Sequence, residues 1–404
     1  MMDQGRSVCL VLCAGERVLG ALPPFRVEVP WWPEVADVVA TARRLFDLEV
    51  TVLRLIGWPA DSRAGGQVSY LAEVAGVATV PLSPWAGDPL ADHPLRQAWA
   101  RPGGPSELLA WAEDRLSRQG VAVTEPAGQI KSWNLSALWR LSTTKGVVWL
   151  KCVPDFFGHE GAVIDAVGPP LAPRLLAFES GRILMAEIDG EDHHDATGDV
   201  LLPMIDLLTA EQARWVGRTD ELSTLGLPDR RLGTILPRIR QLAETYADQL
   251  TAPERRHLTA LVDELPQRMA ALDDCGIPDT LVHGDFHPGN VRGTPGHYVI
   301  LDWGDSAVGH PLTDELAFTR RLGPADRAAA SRRFAQAWRA LVPGCDTDRA
   351  VELLAPVTAL IAATQYADFV AAIEPDEHVY HAADVPEMLR QACAASHQSS
   401  TWVP

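Results

Sequence analysis

Short apolar runs separated by polar turns dominate the first 80 residues of the chain. Runs of apolar and β-branched residues bounded by Gly, Pro, Asn or Asp are typical of strands. Such runs predict five strands, at residues 7–12, 17–19, 26–29, 50–56 and 67–74. Residues 34–46, between the third and fourth runs, place apolar side chains at helical spacing. The pattern therefore predicts a small α+β module at the front of the chain.

The composition changes after this module. Residues 81–105 are rich in proline and glycine and predict a linker, and residues 106–119 predict an amphipathic helix. Ser106 is the expected N-cap, because a serine side chain accepts hydrogen bonds from the free N–H groups of a first turn. The apolar face of this helix comprises Leu108, Leu109, Trp111, Ala112 and Leu116.

A second β-rich region follows the helix. Residues 128–141 alternate apolar and polar positions up to a turn at residues 143–146, which is a hairpin pattern. The next apolar run ends at Lys151, and Glu160 opens a helical pattern nine residues later. Residues 182–190 predict a further strand and its exit.

Helical spacing dominates the rest of the chain. Apolar residues recur at the helical period in residues 236–250, 254–272, 326–341 and 348–373. Two short apolar runs between the second and third of these helices, at residues 280–282 and 298–301, predict strands. Each run leads into a polar loop, and a loop held by rigid strands positions functional groups well.

Composition excludes several classes of function. The formal net charge of −18 disfavours nucleic acid and anionic membrane as partners, because both are bound by basic patches. The six cysteines are scattered, so neither a disulfide framework nor a zinc site is predicted. No apolar run has the length of a membrane span, and the apolar stretch after residues 1–7 is interrupted by Glu16 and Arg17, too soon for a signal peptide. We expect a protein of the cytoplasm.

The two polar loops hold the most informative chemistry. The first reads HGDFHPGN at residues 283–290, and the second reads DWG at residues 302–304. Phosphoryl transfer needs a carboxylate that accepts the proton of a substrate hydroxyl, and oxygen ligands that hold Mg²⁺ against nucleotide phosphates. Asp285 fits the first role, and Asn290 and Asp302 fit the second. The alternative interpretation as ordinary turns explains the residue types but not their spacing.

HGDFHPGN followed by ILDWGD resembles the catalytic and metal-binding loops of the aminoglycoside phosphotransferase and choline kinase superfamily. The resemblance implies a bilobal, protein-kinase-like α+β fold, with a small β-rich lobe at residues 106–190 and a large helical lobe at residues 191–404. Residues 1–105 then form a separate α+β domain with its linker. Protein kinases carry HRD and DFG, which this chain lacks, and Asp314 follows Asp302 too closely for a long activation loop. A small-molecule kinase is therefore favoured.

The resemblance also implies roles for residues outside the metal ligands. Lys151 would hold the α- and β-phosphates of ATP, or of GTP, and Glu160 would orient Lys151 as its ion-pair partner. His283 would orient the catalytic loop by a hydrogen bond. His287 would lie near phosphate or simply pack.

Further nucleotide contacts are implied in the small lobe. Ser132 and Asn134, in the hairpin, would take the place of the glycine-rich motif that the chain lacks. Glu187 and Ile188, at the connection between the lobes, would offer backbone groups to the nucleotide base.

The implied acceptor is a small molecule with a hydroxyl group, either an antibiotic or a metabolite. Candidates for its pocket are the acidic, histidine and tyrosine residues Asp192, His193, His194, Asp305, Tyr366, Asp368, Glu374, Glu377 and Tyr380. Taken singly, such residues are more often solvated or capping residues. Asp305 stands out because it lies three residues after Asp302.

The front module is similar in layout to a Nudix-like domain. Its helix at residues 34–44 lacks the clustered glutamates that such an enzyme uses to bind metal, so we expect docking or substrate capping rather than hydrolysis.

Two other functions stay open for the whole chain. A catalytically silent kinase-like binding or regulatory protein would be expected to have lost Asp285 or Asp302, and both are present. A protein-directed kinase is disfavoured by the short segment before Asp314.

Overall fold

The computed structural model describes residues 5–59, 62–74 and 80–398. They form two compact units, which we describe separately. Unit 1 comprises Met1–Phe156, Leu175–Glu187 and Ala372–Tyr380, and unit 2 comprises Phe157–Arg174, Ile188–Ala371 and His381–Pro404. Residues 1–4, part of the stretch considered above as a leader, lie outside the described residues.

This division differs from the three predicted segments. The front module and the small β-rich region fall in one unit. Residues 157–174, predicted for the small lobe, group with the helical unit, and residues 372–380, predicted for the helical lobe, group with the front module.

A mixed sheet of five strands forms the front of unit 1. Its elements are β1 (Arg6–Ala14), β2 (Arg17–Ala21), β3 (Phe25–Val27), helix α1 (Ala36–Phe46), β4 (Val50–Gly57) and β5 (Gly66–Val74). Strand β1 pairs antiparallel with β2 and β3 and parallel with β5, which pairs antiparallel with β4. Alternate residues of β1 are buried in two different apolar clusters, which explains its near-continuous apolar run. The predicted strands and helix are confirmed.

Helix α2 (Gly104–Ser117) begins earlier than predicted. Its N-cap is Gly103, with a φ of 80°, and the prediction of Ser106 as N-cap is wrong. A Cβ on Gly104 would lie 1.8 Å from the carbonyl oxygen of Ala98, so a glycine is required where the helix starts against the preceding turn. Trp99 of that turn is buried, so the end of the predicted linker belongs to the core.

A second, antiparallel sheet completes unit 1. Its strands are β6 (Gly128–Ser132), β7 (Ala137–Thr143), β8 (Gly146–Cys152), β9 (Leu175–Glu179) and β10 (Arg182–Ala186), in the order β6-β7-β8-β10-β9. The alternating stretch 128–141 is therefore two strands with a turn between them. The buried face of this sheet packs with α2, and the shared core includes Trp139 and Leu150 of the sheet and Leu116 of the helix.

Unit 2 is mainly helical. Its helices are α3 (Glu160–Val167), α4 (Leu201–Trp215), α5 (Thr219–Thr224), α6 (Leu232–Thr245), α7 (Ala252–Asp274), α8 (Leu312–Thr319), α9 (Pro324–Leu341), α10 (Thr347–Ala372) and α11 (Asp384–Gln398). The four predicted helices correspond to α6, α7, α9 and α10. The core includes Leu265, Leu312, Trp338, Leu353 and Leu389.

Helix α10 is long and apolar enough, by length and composition alone, to cross a membrane. Half of its most apolar window is buried among the described residues, as is common in core helices, so its length and composition indicate a span only weakly.

Short strands in unit 2 hold the polar loops. They are β11 (Glu191–Asp192), β12 (Thr280–Val282), β13 (Val291–Thr294), β14 (His297–Ile300) and β15 (Ala307–Gly309). Strands β13 and β14 form a hairpin beside β11, and β12 pairs with β15. The two strands predicted before the polar loops are confirmed as β12 and β14.

Candidate active site

The two polar loops lie together in unit 2. The backbone N–H of Leu301 donates a 2.8 Å hydrogen bond to the carbonyl of Asn290, which ties the end of the catalytic loop to the start of the metal loop. Gly284 has a φ of 87°, and a Cβ there would lie 2.2 Å from the carbonyl oxygen of Asp305. Only glycine allows this close approach of the two loops.

Asp285 is the partly exposed carboxylate of the site. Its side chain is 33% exposed. Its Oδ2 lies 3.4 Å from both the amide nitrogen of Asn290 and Nε2 of His287, and its Oδ1 lies 3.5 Å from Nη2 of Arg321. The carboxylate is held by these contacts, yet it stays accessible to a substrate hydroxyl.

Asn290 is oriented by the same loop. Its Nδ2 donates to the backbone carbonyl of Asp285 at 2.9 Å as well as to the carboxylate. The amide nitrogen is thus directed at Asp285, and Oδ1 is the atom left for a cation. Oxygen ligands are those that Mg²⁺ prefers.

Asp302 has an unusual backbone. It is exposed, and its φ of 61° and ψ of 62° are left-handed values that few residues besides glycine adopt. This conformation turns the chain at the end of β14 into the short helical turn Trp303–Asp305.

No group of three or more His, Cys, Asp or Glu residues that would enclose a metal exists among the described residues. An Mg²⁺ ion that bridges nucleotide phosphates needs few protein ligands, since phosphates and water complete its shell. The oxygens of Asn290 and Asp302 fit that requirement.

Asp314 anchors the catalytic loop, and its role was not predicted. Its Oδ2 accepts hydrogen bonds from the N–H of His283 at 2.8 Å and from Nε2 of Gln212 at 2.9 Å, and its Oδ1 accepts from the N–H of Gly284 at 2.9 Å. Burial raises the pKa of Asp314 to about 7, although these hydrogen bonds oppose the shift. Sequence analysis used Asp314 only to measure the length of a segment.

The two histidines of the loop have different surroundings. His283 is fully buried, its Nε2 lies 2.9 Å from the carbonyl of Leu301, and burial lowers its pKa. The expected orienting hydrogen bond of His283 is therefore present. His287 accepts a hydrogen bond from the N–H of Gly289 through Nδ1, at 3.0 Å, so it also shapes the turn.

Asp305 interacts with two residues that were not predicted from the sequence, Gln365 and Arg230. Its Oδ1 accepts a hydrogen bond from the amide of Gln365. Burial raises the pKa of Asp305 to about 8, the carboxylates of Asp285 and Asp302 add to the effect, and the guanidinium of Arg230 opposes it. Gln365 and Arg230 come from distant segments, so only the fold reveals them.

Five of the remaining acceptor candidates are dispersed within unit 2. Asp192 is exposed and pairs with Arg292 at 2.8 Å, and Asp368 pairs with Arg238 at 3.1 Å. The ring of Tyr366 stacks on the ring of His381. Burial raises the pKa of Tyr366 to about 12.

The two adjacent histidine candidates lie at the small sheet of unit 2. The ring of His193 packs edge-on against Tyr298. His194 lies beside Gly289 of the catalytic loop. A Cβ on Gly289 would lie 2.8 Å from Nδ1 of His194.

Three acceptor candidates belong to unit 1, and their place in the acceptor pocket stays a prediction. Glu374 forms a buried two-pronged ion pair with Arg96, at 3.0 and 2.7 Å. Glu377 and Tyr380 are buried in the same unit. Their acidic and aromatic character serves the packing of residues 372–380 against the front module.

Ser132 and Asn134, the two hairpin residues that were predicted to contact nucleotide, differ in their hydrogen bonds. The hydroxyl of Ser132 is buried and donates to the carbonyl of Leu53 at 3.0 Å, so it already has a protein partner, and its contact with nucleotide stays a prediction. Asn134 is also buried, but neither polar atom of its side chain has a hydrogen-bond partner among the described residues. Asn134 stays a candidate.

Lys151 lies on a central strand. It is paired with Leu138 of β7 on one side and with Ile183 of β10 on the other, which rules out a solvated edge position. Glu160 is the first residue of α3 in unit 2 and is buried. The ion pair between Lys151 and Glu160 stays a prediction.

The connection between the units falls between Glu187 and Ile188. The N–H of Glu187 donates to the carbonyl of Val147, and the carbonyl of Ile188 accepts from Arg292 at 2.9 Å. Two of the backbone groups that were predicted to bind the nucleotide base therefore have protein partners already.

The chain is similar to several known proteins. The phosphotransferase enzyme family matches residues 157–354. A protein provisionally named aminoglycoside phosphotransferase, from Ralstonia eutropha, is 17% identical, with a TM-score of 0.50 over 72% of this chain and 98% of its own. The macrolide 2'-phosphotransferase MphH from Brachybacterium faecium is also 17% identical, with a TM-score of 0.48 over 72% of this chain and 97% of its own. Choline kinase from Cryptosporidium parvum is 12% identical, with a TM-score of 0.48 over 73% and 97%. No protein with a curated description matches.

The matched residues 157–354 contain both polar loops and the Asp314 anchor. The structural likeness shows a protein-kinase-like fold, as the resemblance of the two loops implied. Residues 157–354, just under half of the chain, match the phosphotransferase enzyme family.

Proposed function

We propose that the protein transfers the γ-phosphoryl group of ATP, or of GTP, to a hydroxyl group of a small antibiotic or metabolite. The observation that carries the proposal is the linkage of Asp285 and Asn290, whose side chains and backbone are hydrogen-bonded while the carboxylate stays partly exposed. Asp302 lies in the second polar loop. That loop is tied to Asn290 by the hydrogen bond from the N–H of Leu301 to the backbone carbonyl of Asn290. Catalysis of this transfer depends mainly on positioning and charge neutralisation, which such a fixed set supplies.

Each residue has one task in the proposed reaction. The acceptor hydroxyl gives its proton to Asp285 as its oxygen bonds to the γ-phosphorus, and the bond from that phosphorus to the β,γ-bridging oxygen breaks. Asn290 and Asp302 would hold Mg²⁺, which neutralises charge on the phosphates. Lys151 holds the α- and β-phosphates, and Glu160 orients Lys151.

We also propose the cytoplasm as the site of action, because the donor nucleotides are held there. The two other candidate functions make different predictions. A silent kinase-like protein would bind nucleotide without turnover, and a protein-directed kinase would phosphorylate polypeptides.

The test is ADP formation by the purified chain with Mg·ATP, against hydroxylated small molecules and, separately, protein acceptors. We expect turnover with a small molecule, and its loss by orders of magnitude in Asp285→Ala with nucleotide binding retained. Wild-type-like turnover in Asp285→Ala, measured with a verified acceptor, would contradict the assignment of the base.

A further inference from the structure

A charged side chain from outside the catalytic loop reaches the proposed base. Nη2 of Arg321 lies 3.5 Å from Oδ1 of Asp285. The other carboxylate oxygen, Oδ2, faces Asn290 and His287, each at 3.4 Å. Residues of the loop itself thus contact one oxygen of the carboxylate, and Arg321 contacts the other.

The turn that carries Arg321 is fixed by its own hydrogen bonds. It joins α8 to α9, and Arg327 of α9 donates to the carbonyls of Thr319 at 3.2 Å and Leu322 at 3.1 Å. The N–H of Leu322 donates to Thr319 as well, and Leu322 is buried. A closed turn therefore presents Arg321 to the site.

The guanidinium itself is loosely held. Its side chain is 44% exposed, and the contact with Asp285 is at the long end of the hydrogen-bond range. A guanidinium has five N–H donors, and that of Arg321 makes no second hydrogen bond with the described residues. An exposed pair of this kind contributes little to stability. Most of its donors are thus available to a ligand.

The carboxylates beside the base already have roles, because Asp302 is the proposed ligand of Mg²⁺ and Asp305 has protein partners. Asp305 already accepts a hydrogen bond from Gln365 and faces the guanidinium of Arg230. Arg321 would repel an ammonium group placed beside the acceptor hydroxyl, and like-charge repulsion is a common means of rejecting a ligand. A planar guanidinium instead matches a carboxylate, with two parallel hydrogen bonds.

We propose that Arg321 selects the acceptor by binding a carboxylate that lies close to the acceptor hydroxyl, so that the substrate is a small hydroxylated carboxylate. This inference rests on the proposed function, because it names the acceptor class of the same site. As the substrate binds, Arg321 turns from Asp285 to the substrate carboxylate. Oδ1 of Asp285 is then open to receive the hydroxyl proton.

Matched pairs of acceptors test this selection with the full-length chain. The pairs are glycerate and glycerol, and γ-hydroxybutyrate and its amide, and ADP formation is the readout. For at least one pair, we expect kcat/KM of the carboxylate to exceed that of its neutral partner by about tenfold or more, mainly through a lower KM, as a charged hydrogen bond allows.

Three variants assign the preference to one side chain. Arg321→Ala should lose the preference, and Arg321→Lys should keep part of it, because lysine retains the charge without the planar fork. Arg320→Ala is the matched control, since Arg320 is an exposed neighbour on the same turn. Equal thermal unfolding midpoints for Arg321→Ala and Arg320→Ala would show that the fold is intact.

Several results would overturn the inference. They are equal use of carboxylates and their neutral partners, an unchanged preference in Arg321→Ala, and a panel in which no carboxylate accepts phosphate. Titration of the wild-type chain and of an Asp302→Asn variant with Mg·ATP separates this failure from that of the proposed function. Binding that is weakened in Asp302→Asn leaves the kinase proposal standing, whereas no binding to the wild-type chain overturns both.

Discussion

Asp302 combines the side chain of a proposed metal ligand with a left-handed backbone. Its φ of 61° costs a residue other than glycine about 1–3 kcal/mol, and such outliers cluster at functional sites. Aspartate and asparagine tolerate the conformation better than other residues with a Cβ. The surrounding loop, tied to Asn290 through Leu301, holds the turn in place.

Asp302→Asn is therefore expected to weaken use of Mg²⁺ without unfolding the loop. Asparagine keeps the backbone conformation and removes only the charge, so the Mg²⁺ concentration for half-maximal rate should rise by about tenfold or more. Magnesium titrations of the rate provide the measurement. Asp348→Asn, at an exposed aspartate of α10 that pairs with Arg339, is the control. Unchanged magnesium dependence in Asp302→Asn would refute the ligand assignment.

At the residue scale, local motifs were predictable and distant partners were not. Asp285, Asn290 and Asp302 are brought together by short turns and one hairpin, so spacing along the chain indicates them. Gln365 and Arg321 reach the same site from separate helices and turns. Nothing in the sequence around either residue marks it as functional.

The catalytic loop depends on a single buried carboxylate. Asp314 accepts hydrogen bonds from two consecutive backbone N–H groups of the loop and from Gln212. Helix α8 provides Asp314 and α4 provides Gln212, so two helices fix the backbone before Asp285.

Asp314→Asn should disturb this loop, because an amide group has only one acceptor oxygen. Its NH₂ group would face a backbone N–H or the Gln212 amide, and a buried donor left unpaired costs about 1–3 kcal/mol. We expect a lower unfolding midpoint and a lower kcat, with a smaller effect on nucleotide affinity. Thermal unfolding and steady-state kinetics measure both. Wild-type values of both quantities would exclude the anchoring role.

Elements with clear periodicity were predicted and those with polar buried faces were not. The helices α7 and α9 have the expected apolar spacing. Helix α4 was missed because Thr209, Glu211 and Gln212 lie on its buried side, where they interrupt the apolar pattern. The start of α2 was misplaced because a close backbone contact at Gly104 leaves no side-chain signal in the sequence.

The segment Ala372–Tyr380 carries a cluster of charged groups, of which Glu374 and Glu377 are buried and Asp376 is exposed. Glu374 pairs with Arg96, and Asp376 lies 3.7 Å from Arg54. Burial raises the pKa of Glu377 to about 8, the Glu374 carboxylate and Asp376 add to the effect, and the two arginines oppose it.

This shift predicts a dependence of stability on pH. The pKa of Glu377 is higher in the folded state than its ordinary value of 4.5, so the folded state binds the proton more tightly. Its contribution to stability is complete below pH 4.5 and is lost as pH rises to about 8. In Glu377→Gln, the fall in unfolding midpoint over this window should be smaller than in the wild type. Parallel pH dependences of the two proteins would contradict the assignment.

At the scale of the whole molecule, the front module shares its core with a distant part of the chain. Tyr380 packs edge-on against Trp32 and Trp133, with ring centroids 6.2 and 5.6 Å apart. Arg96 and Glu374, 278 positions apart, form the buried ion pair. Sequence patterns report local spacing, so they predicted a module behind a linker and missed these long-range contacts.

Removal of residues 1–104 tests the role of the module. The truncation should expose Tyr380 and leave Glu374 without Arg96, and loss of one partner of a buried pair costs about 3–5 kcal/mol. We therefore expect a lower unfolding midpoint and aggregation on heating. The contacts of Asp285, Asn290 and Asp314 lie within unit 2, and the strand Gly146–Cys152 that carries Lys151 lies outside the deleted residues, so Mg·ATP binding should persist at low temperature. Arg96→Ala, compared with Arg101→Ala at an exposed position, isolates the ion pair. A truncated chain as stable as the full chain would show that the module is an independent appendage.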